Sequence, residues 1–166
     1  GESAKLEFKS TARWNVKIAQ PDAKMERVIV KTIAAFLNAR GGTLIIGVED
    51  DGKVYGLHED YKLCGNKGRD GFENWLTQTL MKDFGKDAAA QIRVEFHQMG
   101  ITDATQPGGA DVCAIHIDPS PKPRYATDNG QELFYVRTGN ATNFLKPSEF
   151  MDYHKQRWPE GAGSSS

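Results

Sequence analysis

Two glutamates five positions apart, Glu2 and Glu7, and three consecutive acids further along, Glu49, Asp50 and Asp51, are the residues of this chain best suited by type and spacing to chemistry. Carboxylates gathered in one place repel one another, and a hard cation such as Mg²⁺ or Mn²⁺ relieves that repulsion through oxygen ligands. A cation so held polarises a phosphodiester and activates water for attack on it. If the strand carrying Glu7 lies near the strand that ends at Glu49, the acids converge at one end of a sheet. Ligands commonly bind there, on loops held by a rigid scaffold. A plainer reading competes with this one: Asp50-Asp51-Gly52 is an ordinary hairpin turn, and Glu7 is the polar side of a half-exposed strand.

Other site types are excluded by what the chain lacks. There is no GxxxxGK[ST] to cradle phosphates, no GxGxxG between a strand and a helix, and no GxSxG elbow. His58, His97, His116 and His154 are scattered without ligand spacing. His97 and His116 fall at polar strand positions, where an exposed or hydrogen-bonded imidazole is expected. Cys64 and Cys113 form no CxxC pair, so neither a disulfide scaffold nor zinc is expected, and a reducing cytoplasm is. The sequon at residues 140–142 carries no meaning in a cytoplasmic protein.

The 166 residues are 39% hydrophobic and 26% charged, enough to bury the core of one domain. That domain is expected over residues 1–160, with Gly161-Ala-Gly-Ser-Ser-Ser166 as a flexible tail. No apolar stretch approaches the ~18–20 residues of a membrane helix, and no signal peptide opens the chain, so no membrane partner is expected. A net charge of −1 is not that of a strongly basic nucleic-acid binder. The charge is uneven, however. Residues 1–40 hold eight bases against four acids (+4), and residues 41–118 hold seven against thirteen (−6). A basic flank permits an anionic partner without demanding one.

The elements that must position these residues follow from periodicity. Leu6-Glu7-Phe8-Lys9 alternates like a short half-buried strand. Residues 10–22 lack a period, contain Pro21 and predict a long loop. Met25, Val28, Ile29, Ile33, Phe36 and Leu37 fall at helical spacing, with Asp22 as N-cap and Gly41-Gly42 as the stop. Residues 43–48 are apolar in succession, the pattern of a central strand buried on both faces. Residues 49–52 then turn, and 53–57 form a hairpin return. Residues 65–71 read as loop, and Phe72, Trp75, Leu76, Leu80 and Phe84 mark a second helix. Strands follow at residues 92–96 and 111–117, joined by a Gly/Pro/Asp-rich loop. Pro119, Pro121 and Pro123 break the sheet, residues 132–137 form a last strand, and a closing helix runs from about Pro147 to Trp158. The order β-α-β-β-α-β-β-β-α predicts an α+β fold with a mixed sheet and about three helices.

Taken together, four segments carry a resemblance. They are Glu2-Ser-Ala-Lys-Leu-Glu-Phe-Lys9, Ile33-Ala-Ala-Phe-Leu-Asn38, the run from Gly41 to Gly52, and Phe134-Tyr-Val-Arg-Thr-Gly-Asn-Ala-Thr142. In this order and spacing, from residue 2 to about 145, the chain resembles the Schlafen AlbA-type domain family. The resemblance implies an α+β nucleic-acid-binding domain. In bacteria and archaea it is commonly one module of a longer chain described as a DNA-binding or transcriptional regulator. An ATP-binding label attaches to some relatives through a downstream region, although no Walker motif occurs here. Animal members include a divalent-metal endoribonuclease that cuts structured RNA such as tRNA with three acids. Carried over by motif, these are Glu2, Glu7 and Asp50, which would hold Mg²⁺ or Mn²⁺. This chain lacks the Cys/His zinc finger of the animal domains and holds one copy where they hold two. A basic trough would therefore require a homodimer or a second module.

Nucleic-acid contact is expected from basic residues near the acidic corner. Lys9 follows Glu7, and Arg13 and Lys17 flank Trp14. Arg137 and Asn140 lie where the last strand enters a turn whose Gly139 lets backbone amides approach a phosphate. The expected function is a DNA- or RNA-binding module of a larger regulatory or defence protein. A metal-dependent endoribonuclease is the first alternative, and a non-catalytic regulatory scaffold the second.

Overall fold

The computed structural model describes residues 3–65, 67–101 and 103–160. The alternation at Leu6–Lys9 forms β1, and a loop then carries a two-residue hairpin, β2 (Trp14–Asn15) and β3 (Gln20–Pro21). The helical period becomes α1, Ala23–Asn38, whose N-cap Asp22 accepts from the Lys24 amide at 2.9 Å. The apolar run becomes β4, Gly42–Ile46. After it come α2 (His58–Lys62), α3 (Gly68–Phe84), a 3₁₀ turn at Lys86–Gln91, β5 (Ile92–Gln98) and β6 (Asp111–Ile117). Two hairpins, β7–β8 (Ala126–Asp128, Gln131–Leu133) and β9–β10 (Tyr135–Thr138, Ala141–Phe144), precede α4, Pro147–Arg157.

The main sheet has the order β1-β4-β6-β5. β1 and β4 are parallel, with Leu6 opposite Thr43 and Lys9 opposite Ile46, and α1 supplies the crossover that a parallel pair requires. β6 runs antiparallel between β4 and β5, so the sheet is mixed and the fold α+β. Leu44, Ile46, Cys113 and Ile115 face α1 and α3 in the main core, together with Ile33, Phe36, Phe72 and Leu76. The other face carries a smaller cluster of Phe8, Val48 and Val112, with Leu6 and Ile45 packed on it. β4 is therefore central as expected, although Thr43 and Ile45 on its second face are only half-buried.

Strand direction decides what meets at each end. The starts of β1 and β4, the start of β5 and the end of β6 share one end, and the 49–52 turn lies beyond the other. At the first end α1 must stop sharply. Gly41 does this at φ +77°, where a Cβ would come within 2.4 Å of the Ile117 carbonyl oxygen. No basic residue stands in the last turn of α1 to meet its exposed carbonyls. α4 supplies one: Arg157 Nε donates to the carbonyls of Asn38 and Ala39 at 3.1 and 3.0 Å, and the Tyr153 hydroxyl donates to Asn38 at 2.5 Å.

Several boundaries differ from expectation. Residues 53–57 make only a bridge, Val48 to Val54, because Gly56 is driven against Gly109 and the Leu57 amide bonds to Gly108. α3 begins at Gly68, inside the expected loop, since its first turn is polar and solvated. The last strand breaks at Phe134, which turns into a ring cluster with Phe150 and Tyr153 and so separates β8 from β9. Gly139, at φ +59°, then turns the chain into β10.

α2 brings in a buried acid. Asp60, 1% exposed, accepts from the backbone amides of Ala12 and Arg13 at 2.8 Å each and fixes the loop after β1. Burial pushes its carboxyl up to about 6 from 3.8. Between those values the native state holds a proton that the unfolded chain has lost, so this group's contribution to stability falls as pH rises through that window. The shift corresponds to an amount on the order of 2–3 kcal/mol. Asp60→Asn removes the titration, so the stability gap between wild type and variant should shrink by about that amount from pH 4 to pH 7 in urea denaturation. A constant gap would mean that Asp60 ionises normally.

Candidate nucleic-acid interface

Glu7 and Asp50 do not share one corner. Glu7 sits mid-strand on β1, 6% exposed and on the helical side of the sheet, and Asp50 is exposed on the turn beyond the far end of β4. That turn closes by the Gly52 amide donating to Glu49 and the Lys53 amide to Asp51. Glu2 lies outside the described residues. Among the described residues no three Asp, Glu, His or Cys side chains form a metal-holding group.

Arg137 accounts for the position of Glu7. From β9 its NH1 donates to Glu7 Oε1 at 2.6 Å, and its NH2 donates to the carbonyls of Ser3 and Leu6 at 2.8 and 3.3 Å. Its guanidinium also stacks 4.9 Å above the Phe36 ring. Lys9 approaches the second Glu7 oxygen at 3.4 Å. The remaining expected contacts fall into two groups. Arg13 is held by the Leu63 carbonyl at 2.7 Å, by Glu26 at 3.7 Å and by the face of Trp75. Lys17 and Asn140 stand exposed on hairpin turns. Arg13 and Arg137 thus both bond within the protein, and Arg137 also lines a cavity.

Three exposed cations lie together at the opposite end of the sheet from the acidic turn. Lys5 precedes β1, Arg40 precedes Gly41-Gly42, and Arg93 opens β5 beside His116 of β6. All three basic residues are exposed, and none forms an ion pair among the described residues. Two adjoining cavities share Lys5 and Arg40. One, of about 500 Å³, runs past Arg137, Tyr153 and Arg157; the other, of about 420 Å³, runs past Thr43, Arg93, His116 and Asp118. Thr43 Oγ1 lies 3.2 Å from His116 Nδ1 and orients that ring.

This groove offers three uncommitted cations, with Asp118 the one acid lining it among the described residues. Arg137 adds a second feature. It lines the larger cavity, yet its Nε is buried with no acceptor among the described residues. A buried unpaired donor costs about 1–3 kcal/mol. Guanidinium forks and an ammonium around one cleft suit a polyanionic backbone.

Reading along the chain overlooked Lys5, Arg40, Arg93 and Arg157. For Lys5 and Arg40 the signal was the basic balance of residues 1–40, without the strand directions needed to place it; Arg93 and Arg157 carried none.

The family model described as "Schlafen, AlbA_2" matches residues 2–146. Among solved structures, the DIP2311 protein from Corynebacterium diphtheriae is similar in fold, with a TM-score of 0.59 at 20% identity. The alignment covers 93% of this chain and 27% of that one, so the chain spans about a quarter of that protein's length.

Proposed function

This chain belongs to the Schlafen, AlbA_2 family, and from that premise we propose that it is a nucleic-acid-binding module. It grips the phosphate backbone in the groove of Lys5, Arg40 and Arg93. The observation that carries the reading is the gathering of Lys5, Arg40 and Arg93 at one end of the sheet, exposed and without ion pairs among the described residues. The family suggests a nucleic-acid-related domain, and the charge arrangement supports the same conclusion independently.

Contacts of this kind read charge and spacing, not bases, so binding should be sequence-tolerant and salt-dependent. Each neutralised phosphate contributes roughly 0.7–0.9 to the slope of log K against log salt. Affinity for single-stranded RNA and for duplex DNA, measured across a salt series, should fall with a slope near −2 to −3 for three contacts. Binding that ignores salt would remove the groove from consideration.

A second reading, an endoribonuclease that uses Glu2, Glu7 and Asp50 with Mg²⁺ or Mn²⁺, is supported by one observation. Glu7 bonds to the same Arg137 that lines the groove, one guanidinium from where a phosphate would lie, and on this reading Asp50 reaches the bound strand from beyond the other end of β4. On this reading a tRNA pool is cut with Mn²⁺ and spared with EDTA, and Asp50→Asn abolishes cleavage while leaving binding intact. A cleavage rate equal in Mn²⁺ and EDTA, or equal in wild type and Asp50→Asn, rejects it.

A further inference from the structure

α4 separates two surfaces of different chemistry. Tyr153, Gln156 and Arg157 line the basic groove, while Phe150, Met151, His154 and Trp158, on its other side, line a cleft of about 630 Å³ completed by Tyr125 and Glu160. That size admits a flat heterocycle. The cleft has a rigid aromatic wall. The Trp158 indole donates to the Ser120 carbonyl at 2.9 Å, and the rings of Phe150 and His154 stand 5.5 Å apart, those of His154 and Trp158 5.7 Å. Phe134 backs the wall, 4.7 Å from Phe150. Met151 is 61% exposed at its rim.

We propose that this cleft takes an unpaired nucleobase of a strand whose phosphates lie in the basic groove. The module would therefore prefer nucleic acid with a single-stranded or extruded nucleotide to continuous duplex. The inference rests on the groove reading. Arg157 argues for this occupant, because it lines the groove and at the same time stacks its guanidinium 4.5 Å over the ring of Trp158, which lines the cleft. A helix with its side chains is about 10–12 Å across, a distance that about two nucleotides can cover. Stacking on aromatic faces suits any base. Lys155 at the cleft complements the strand's charge, and Glu160 offers an acceptor to an exocyclic amine.

The test uses a short single strand with one 2-aminopurine, and a matched strand with an abasic site in its place. Wild type should quench the 2-aminopurine fluorescence and bind the intact strand about five- to a hundredfold more tightly than the abasic one. His154→Ala/Tyr125→Ala should lose both the quenching and the preference while keeping the salt-dependent binding. Met151→Glu, at an exposed rim position, should do the same and guards against misfolding of the first variant. Salt-dependent binding with no quenching and no preference for the intact strand overturns the cleft and leaves the groove standing. Failure to bind either strand at any salt concentration overturns both. Self-association that Met151→Glu abolishes, seen in sedimentation without quenching, overturns the base in favour of a second copy.

Discussion

Replacing Arg40 and Arg93 together by alanine should weaken binding to single-stranded RNA or duplex DNA by about 30- to 100-fold, at roughly 1–1.4 kcal/mol per lost phosphate contact. Both side chains are exposed and neither forms an ion pair among the described residues, so their loss should leave the urea midpoint unchanged. The slope of log K against log salt should become shallower by about 1.4–1.8, since two fewer phosphates are neutralised. The size of the effect comes from position: two guanidinium forks flank the cavities that share Lys5 and Arg40. Lys17→Ala removes an equally exposed cation from a hairpin turn outside the groove and should cost less than about threefold. Equal losses from Lys17→Ala and from the double variant would indicate a diffuse charge effect and count against a defined groove.

The largest loss of stability is expected from Arg137→Ala. Its side chain is 2% exposed and that of Glu7 8%, and their bond is 2.6 Å long. Removing the guanidinium takes the shortest bond from a buried carboxylate that Lys9, 3.4 Å from its second oxygen, compensates only in part, at a cost of about 3–5 kcal/mol. The bonds to the Ser3 and Leu6 carbonyls and the stack on Phe36 are lost as well. Glu7→Gln should cost less, about 1–2 kcal/mol, because the amide oxygen still accepts from the guanidinium. Arg137→Met with Glu7→Leu should recover much of the loss, as replacing both members of a buried pair by apolar groups often does. Equilibrium urea unfolding of the four proteins gives the answer directly. A loss below about 1 kcal/mol for Arg137→Ala would place the pair in the weak class of solvated surface bridges.

The parts of the fold with strong local periods were legible from the residues alone. Ile29, Ile33, Phe36 and Leu37 fixed α1, Asp22 its start and Gly41 its end, because each signal acts within a few residues. The alternation at Ile92, Val94 and Phe96 likewise placed β5. Short or polar elements were not legible: α2 is five residues, His58-Glu-Asp-Tyr-Lys62, and is held by Asp60 reaching back to Ala12 and Arg13. Nothing in that pentapeptide marks its aspartate as buried.

The site was legible only in part. Motif position singled out Glu7 and Arg137, but not their union, which spans 130 residues and ties β9 to β1. The groove was hidden for the same reason. Lys5, Arg40, Arg93 and Arg157 sit in four separate segments. They meet because β1 and β4 start at the end of the sheet where β6 finishes, and because α4 returns to cover the carbonyl end of α1. A sequence shows charges, but strand direction decides which of them become neighbours.

The most direct measurement is an NMR titration of the ¹⁵N-labelled protein with a short single-stranded oligonucleotide. The account predicts the largest and salt-sensitive shifts at Lys5, Arg40, Gly42, Arg93 and Arg157, with residues 49–53 unmoved. Shifts centred on the acidic turn at 49–53, with the groove silent, would contradict it.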